Sequence, residues 1–153
     1  MRQLELRVPP LIVLAIAALL MWAIARATPD WAIVYPGRRL IAAVLFVLGV
    51  AVMVAGVRAF HRASTTVDPR SPEQASQLVS GGVYRFTRNP MYVGMLAVLI
   101  AWMVLLANVG TVVGPALFAL YITRWQIMPE ERALAAKFGA EYAVYRNSVR
   151  RWF

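Results

Sequence analysis

Apolar residues run almost unbroken over 8–25, 40–60, 91–107 and 109–128, and polar residues are confined to the breaks between them. A transmembrane helix needs about 20 mostly apolar residues, so this pattern predicts four crossings. Only Asn108 and the neighbouring Gly110 separate the third run from the fourth, which predicts a tight helical hairpin. Past residue 128 the pattern changes: Leu134, Phe138, Tyr142 and Tyr145 recur at spacings of four, four and three, with Arg132, Lys137, Glu141 and Arg146 on the other faces. This predicts an amphipathic helix over 130–146 at the membrane interface, with Pro129 supplying the fixed first turn before it and Gly139 marking close packing. The expected fold is all-α, an integral membrane helical bundle of about four transmembrane helices, single-domain over 1–153, with the amphipathic helix at the cytosolic face.

Composition agrees. Of 153 residues 61% are hydrophobic and 15% charged, far more apolar than a soluble domain of this length needs. Cysteine is absent, which removes any thiolate, and His61 as the single histidine leaves no nitrogen cluster for zinc, so no metal partner is expected. The net charge of +9 is spread over the ends of apolar runs and forms no basic stripe, so no nucleic-acid partner is expected. Four crossings put the N-terminus, the loop 61–89 and the tail on one side, with 13 of the 16 Lys and Arg; Arg26, Arg38 and Arg39 lie opposite. That asymmetry predicts a multi-pass cell-membrane protein with both termini cytoplasmic. "ARA" at 25–27 fits a signal-peptide cleavage site, yet the 18-residue apolar run before it exceeds the usual limit of about 15, so a retained helix is expected.

The candidate chemistry sits in "GGVYRFTRNPMYVG", residues 81–94. Asn89 suits an N-cap and Pro90 a first helical position, so the third crossing starts there. Its N-terminus attracts anions through unpaired N–H groups, Arg85 and Arg88 reinforce it, and Tyr84 and Tyr92 offer hydroxyls and flat faces. Glu130 and Glu131, two of only seven acidic residues, return to the same surface through the hairpin. Both signs of charge suit a zwitterionic ligand. The plainer alternative makes the Arg and Tyr interface anchors and the Glu pair a first-turn helix charge.

"SQLVSGGVYRFTRNPMYVG" (76–94) and "PEERALAAKFGAEYAVYRNSVRRW" (129–152) resemble the isoprenylcysteine carboxyl methyltransferase and phospholipid methyltransferase superfamily of integral membrane enzymes. Gly82, Tyr84, Arg88, Asn89, Pro90, Tyr92 and Gly94, then Glu130, Glu131, Phe138, Gly139, Tyr142 and Tyr145, match its motifs, so the core motif region is 76–153. The resemblance implies that S-adenosylmethionine binds in a cytosolic pocket and that a lipophilic acceptor, a carboxylate, amine or hydroxyl, enters from the bilayer. The cofactor contacts it implies are Ser76, Gln77, Leu78, Val79, Tyr84, Asn89, Pro90, Met91, Tyr92 and Glu130, with Arg88 beside them. Where many carboxyl-methylating members carry the Arg thought to hold the acceptor's carboxylate, this chain has Gln126, with Arg124 the nearby substitute; the two are the expected substrate-binding residues. Tyr92 and Glu131 are the candidate bases, with Asn89 grouped at the catalytic end. A membrane reductase using NADPH in a similar pocket, and a non-catalytic scaffold, are the alternatives.

Overall fold

The computed structural model describes residues 5–63 and 76–153; Arg2 and Arg70, counted above on the charged side, lie outside them. Every regular element among the described residues is a helix, without a strand. The helices are α1 (Pro10–Ala27), α2 (Arg38–Arg62), α3 (Pro90–Leu106), α4 (Val113–Ile122) and α5 (Met128–Ser148), with a π-helical turn, Thr123–Ile127, joining α4 to α5. By length and composition α1 and α2 are each able to cross a membrane, while α3 is apolar and shorter. The fourth apolar run is not one uninterrupted α-helix: it comprises a 3₁₀ turn (Val109–Val112), α4 and the π turn.

Helices α2 and α3 pack along each other more extensively than any other pair. Two glycines permit this. A Cβ on Gly94 would stand 2.5 Å from the Gly49 carbonyl oxygen, and one on Gly49 would stand 2.8 Å from the Gly94 oxygen. Small residues let backbones approach where apolar side chains gain little by leaving lipid. Helix α1 packs on α3 and α4, burying Ala17 and Met21, and Trp102 Nε1 of α3 donates to Ala18 O at 3.1 Å.

The hairpin turn is as tight as its sequence predicts. Ala107 takes the left-handed conformation, and Asn108 Oδ1 accepts from Gly110 N at 2.9 Å while its Nδ2 donates to Thr28 O at 2.7 Å. The α1–α2 connection is thereby tied to the hairpin at one end of the bundle. At the other end the N-terminal residues, the start of α3 and the C-terminal tail meet, as Leu6 N donates to Trp125 O and Arg88 N to Arg150 O.

Two local expectations are corrected. Pro129 does not stand ahead of the last helix but inside it, one residue after Met128, and the helix continues out of the π turn. Gly139 does not mark close packing, since a Cβ there would meet nothing within 4 Å. Its φ of 50° and ψ of −118° break the helix, and this backbone shape explains the glycine.

Candidate functional site

The site is built where α3 begins. Pro90 opens the helix, its missing N–H being one that a first turn leaves unbonded anyway. Asn89 holds the N-cap position, but the expected side-chain cap is not made. Its Nδ2 instead donates to Arg151 O at 2.9 Å, and Thr87 Oγ1 donates to the same carbonyl at 3.1 Å. Arg88 follows the same course. Its Nη1 donates to Val149 O at 2.6 Å and Arg146 O at 2.8 Å. The C-terminal tail therefore lies across the mouth of α3, and Trp152 closes it by packing on the core around Tyr92 and donating from Nε1 to Thr123 Oγ1 at 3.2 Å.

Beneath the tail the adjacent glutamates have opposite surroundings. Glu131 is gripped by two guanidiniums: Arg151 binds both its oxygens, at 3.0 and 2.6 Å, and Arg88 Nη2 reaches Oε1 at 2.8 Å. Burial by itself would raise this carboxyl, and the bonds from Arg151 and Arg88 overcome that and hold it below the ordinary value. No guanidinium among the described residues binds Glu130. Tyr92 OH donates to its Oε1 at 2.5 Å and Gln126 Nε2 at 3.0 Å. Burial raises the Glu130 carboxyl to about 7, more than those two bonds lower it, and the neighbouring Glu131 charge adds to the rise.

The remaining predicted residues divide. Tyr84 is buried edge-on to Phe60, with ring centroids 5.4 Å apart, and its carbonyl accepts from Tyr145 OH at 2.8 Å. Burial also pushes the Tyr84 hydroxyl well above its usual range. Leu78 and Val79 pack on the Tyr84, Tyr142 and Tyr145 cluster, whereas Ser76, Gln77 and Arg85 are exposed. Met91 turns toward α2, its Cγ 2.8 Å from where a Cβ on Gly56 would stand. Gln126 is buried and joins the Glu130 group, but the Arg124 guanidinium goes to Glu5, at 3.4 Å. Thr87, Arg151 and Trp152 enter the site without having been predicted. The only sequence signal for Arg151 and Trp152 is a basic, aromatic ending after the last amphipathic repeat, which reads equally as membrane anchoring, and Thr87 carries none beyond its place in the 81–94 stretch.

Does this donor set fit a methionine-derived sulfonium cofactor? Such a molecule needs an acceptor for its ammonium, a donor for its carboxylate and an apolar wall for its adenine. Glu130 supplies the first and the Leu78–Val79 surface the last. Arg88 Nε, buried and without a hydrogen-bond partner among the described residues, is a donor of the second kind.

A family model described as phospholipid methyltransferase matches residues 38–141, a stretch that contains α2, α3, the hairpin and both glutamates. An "Uncharacterized protein" of Haemophilus influenzae is 44% identical over 62 residues, which is 40% of this chain and 98% of that protein. No solved structure matches.

Proposed function

The chain belongs to the phospholipid methyltransferase family, and we propose that it is a multi-pass membrane enzyme that transfers a methyl group from S-adenosylmethionine to a lipophilic acceptor. The carrying observation is the Tyr92–Glu130–Gln126 group, a hydrogen-bonded carboxylate inside the stretch that matches the family. On this reading α1, α2, α3 and the α4 segment cross the bilayer, both termini are cytoplasmic, and α5 lies at the cytosolic face. The charge asymmetry supports that orientation, and so do the contacts of residues 5 and 6 with α5 and the π turn.

Leu78, Val79, Tyr84, Arg88, Asn89, Pro90, Met91, Tyr92 and Glu130 are the proposed cofactor residues, with Ser76 and Gln77 at the edge. Bound there, S-adenosylmethionine supplies an electrophilic methyl group whose leaving group departs neutral. The protein's task is then to orient the acceptor in a dry site and to take its proton. Tyr92 OH, hydrogen-bonded to Glu130 Oε1, is the candidate base, its own proton passing to Oε1 as it takes the acceptor's. Glu131, held low by two arginines, is a weaker base, and we assign it and Asn89 to holding the tail. An ionised carboxylate acceptor would need no base and would need a free cation. At the two expected acceptor-binding positions Gln126 is uncharged and Arg124 meets Glu5, which favours an amine or hydroxyl on a lipid. The adjacent Glu130 and Glu131 speak against the reductase, since carboxylates repel nucleotide phosphates.

The test is calorimetric titration of the detergent-purified protein with S-adenosylmethionine, its demethylated product and NADPH. We expect saturable binding of the first two, weakened several-fold by Glu130→Ala. Binding of NADPH alone would replace the methyltransferase with a reductase.

A further inference from the structure

Pro129 has no N–H, so the carbonyl four residues earlier, that of Trp125, loses the helical bond it would otherwise accept. The chain widens into the π turn around this point, a distortion that proline or an inserted group commonly causes. The freed carbonyl is taken up from outside the helix: Leu6 N donates to Trp125 O at 3.1 Å. To do this Leu6 adopts φ 59°, a left-handed backbone that a leucine keeps only when its surroundings impose it. Glu5 then bridges both sides of the distortion, accepting from Arg124 Nη1 in the π turn at 3.4 Å and from Arg132 Nη2 in α5 at 2.6 Å. Next to Trp125 stands Gln126, which reaches Glu130.

We propose that Glu5 and Leu6 are positioning residues of the site, a clasp that completes the π turn and so sets Gln126 and Glu130 at their mutual register. This rests on the Tyr92–Glu130–Gln126 group being the cofactor-binding centre. The main-chain bond is the principal element. The Arg124 and Arg132 side chains are 42% and 54% exposed, and exposed ion pairs contribute little.

The full chain is tested as Leu6→Pro, Leu6→Gly and Glu130→Ala, each titrated with S-adenosylmethionine, and as Leu6→Pro combined with Pro129→Ala. Leu6→Pro removes the donor and cannot adopt the positive φ, so affinity falls roughly fivefold, the ordinary net effect of one lost hydrogen bond. Leu6→Gly keeps the N–H, relieves the strained backbone and binds as the parent does. Pro129→Ala gives Trp125 O a partner within the helix, so in that background Leu6→Pro costs no further affinity. Unchanged affinity in Leu6→Pro while Glu130→Ala loses binding overturns the clasp and leaves the site standing. Unchanged affinity in Glu130→Ala overturns the site and the clasp with it. Should Leu6→Pro fail to fold, the same titration is run with Leu6 replaced by its α-hydroxy acid, which puts an ester oxygen in place of the N–H alone, and affinity equal to the parent's overturns the clasp.

Discussion

Replacing Glu130 by Gln keeps an oxygen for Tyr92 and Gln126 but removes the titration. In the parent the carboxyl lies at about 7 against an ordinary 4.5, so the folded protein holds a proton that the unfolded chain releases between those values. The sign follows: folding stability falls as pH rises through that window and levels off above it. The distance from 4.5 to about 7 corresponds to roughly 3 kcal/mol between the two plateaus. Glu131 acts in the opposite sense and elsewhere, because its lowered carboxyl contributes stability that is lost only as the pH drops below the ordinary carboxylate range. Reversible unfolding in mixed detergent from about pH 5 to about pH 8 isolates Glu130. The parent should lose stability over this range and Glu130→Gln should stay nearly flat. Parallel slopes for the two proteins would show that Glu130 is ordinary and that its burial has no electrostatic consequence.

Breaking the Glu131 ion pair should depend on which partner goes. Glu131→Ala leaves Arg88, whose side chain is only 11% exposed, without its counter-charge and should cost about 3 kcal/mol in the same unfolding assay. Arg151→Ala removes a more exposed partner while Arg88 remains on Glu131, and should cost about 1 kcal/mol. Gly94→Ala, driven against the Gly49 carbonyl, should lower stability by about 1–3 kcal/mol through forced separation of α2 and α3. Gly139→Ala meets open space, so its smaller loss of about 1 kcal/mol should come from the positive φ alone. Equal losses for the two glycine variants would argue against the close helix approach.

The hydrophobic pattern revealed the helices because burial in lipid or in a core leaves its period in the sequence. The hairpin at Asn108 was legible for the same reason, together with its turn residues. Local motifs were less reliable. "RNP" identifies the start of α3, but Asn89 spends its amide on Arg151 O, a partner 62 positions away that no local rule can anticipate. Gly139 is marked by its sequence as unusual, yet glycine serves close packing and positive φ equally, and only the backbone angles decide. Glu130 and Glu131 were visible as a pair. Their division into a neutral-range carboxyl and a guanidinium-bound one was not, because it depends on the C-terminal arginine that returns across α3.

That division has a geometric cause. Consecutive residues on an α-helix point about 100° apart, so Glu130 and Glu131 must face different neighbours. Helix α5 aims Glu130 at α3, where Tyr92 is hydroxylic and uncharged, and Glu131 at the tail, where two arginines converge. The arginines are thereby held on Glu131 by bonds of 2.6–3.0 Å, while burial gives Glu130 a high proton affinity and the Glu131 charge beside it adds to the rise. The charge on Glu131 is therefore part of what keeps the proton affinity of Glu130 high, although Glu131 need never touch a ligand.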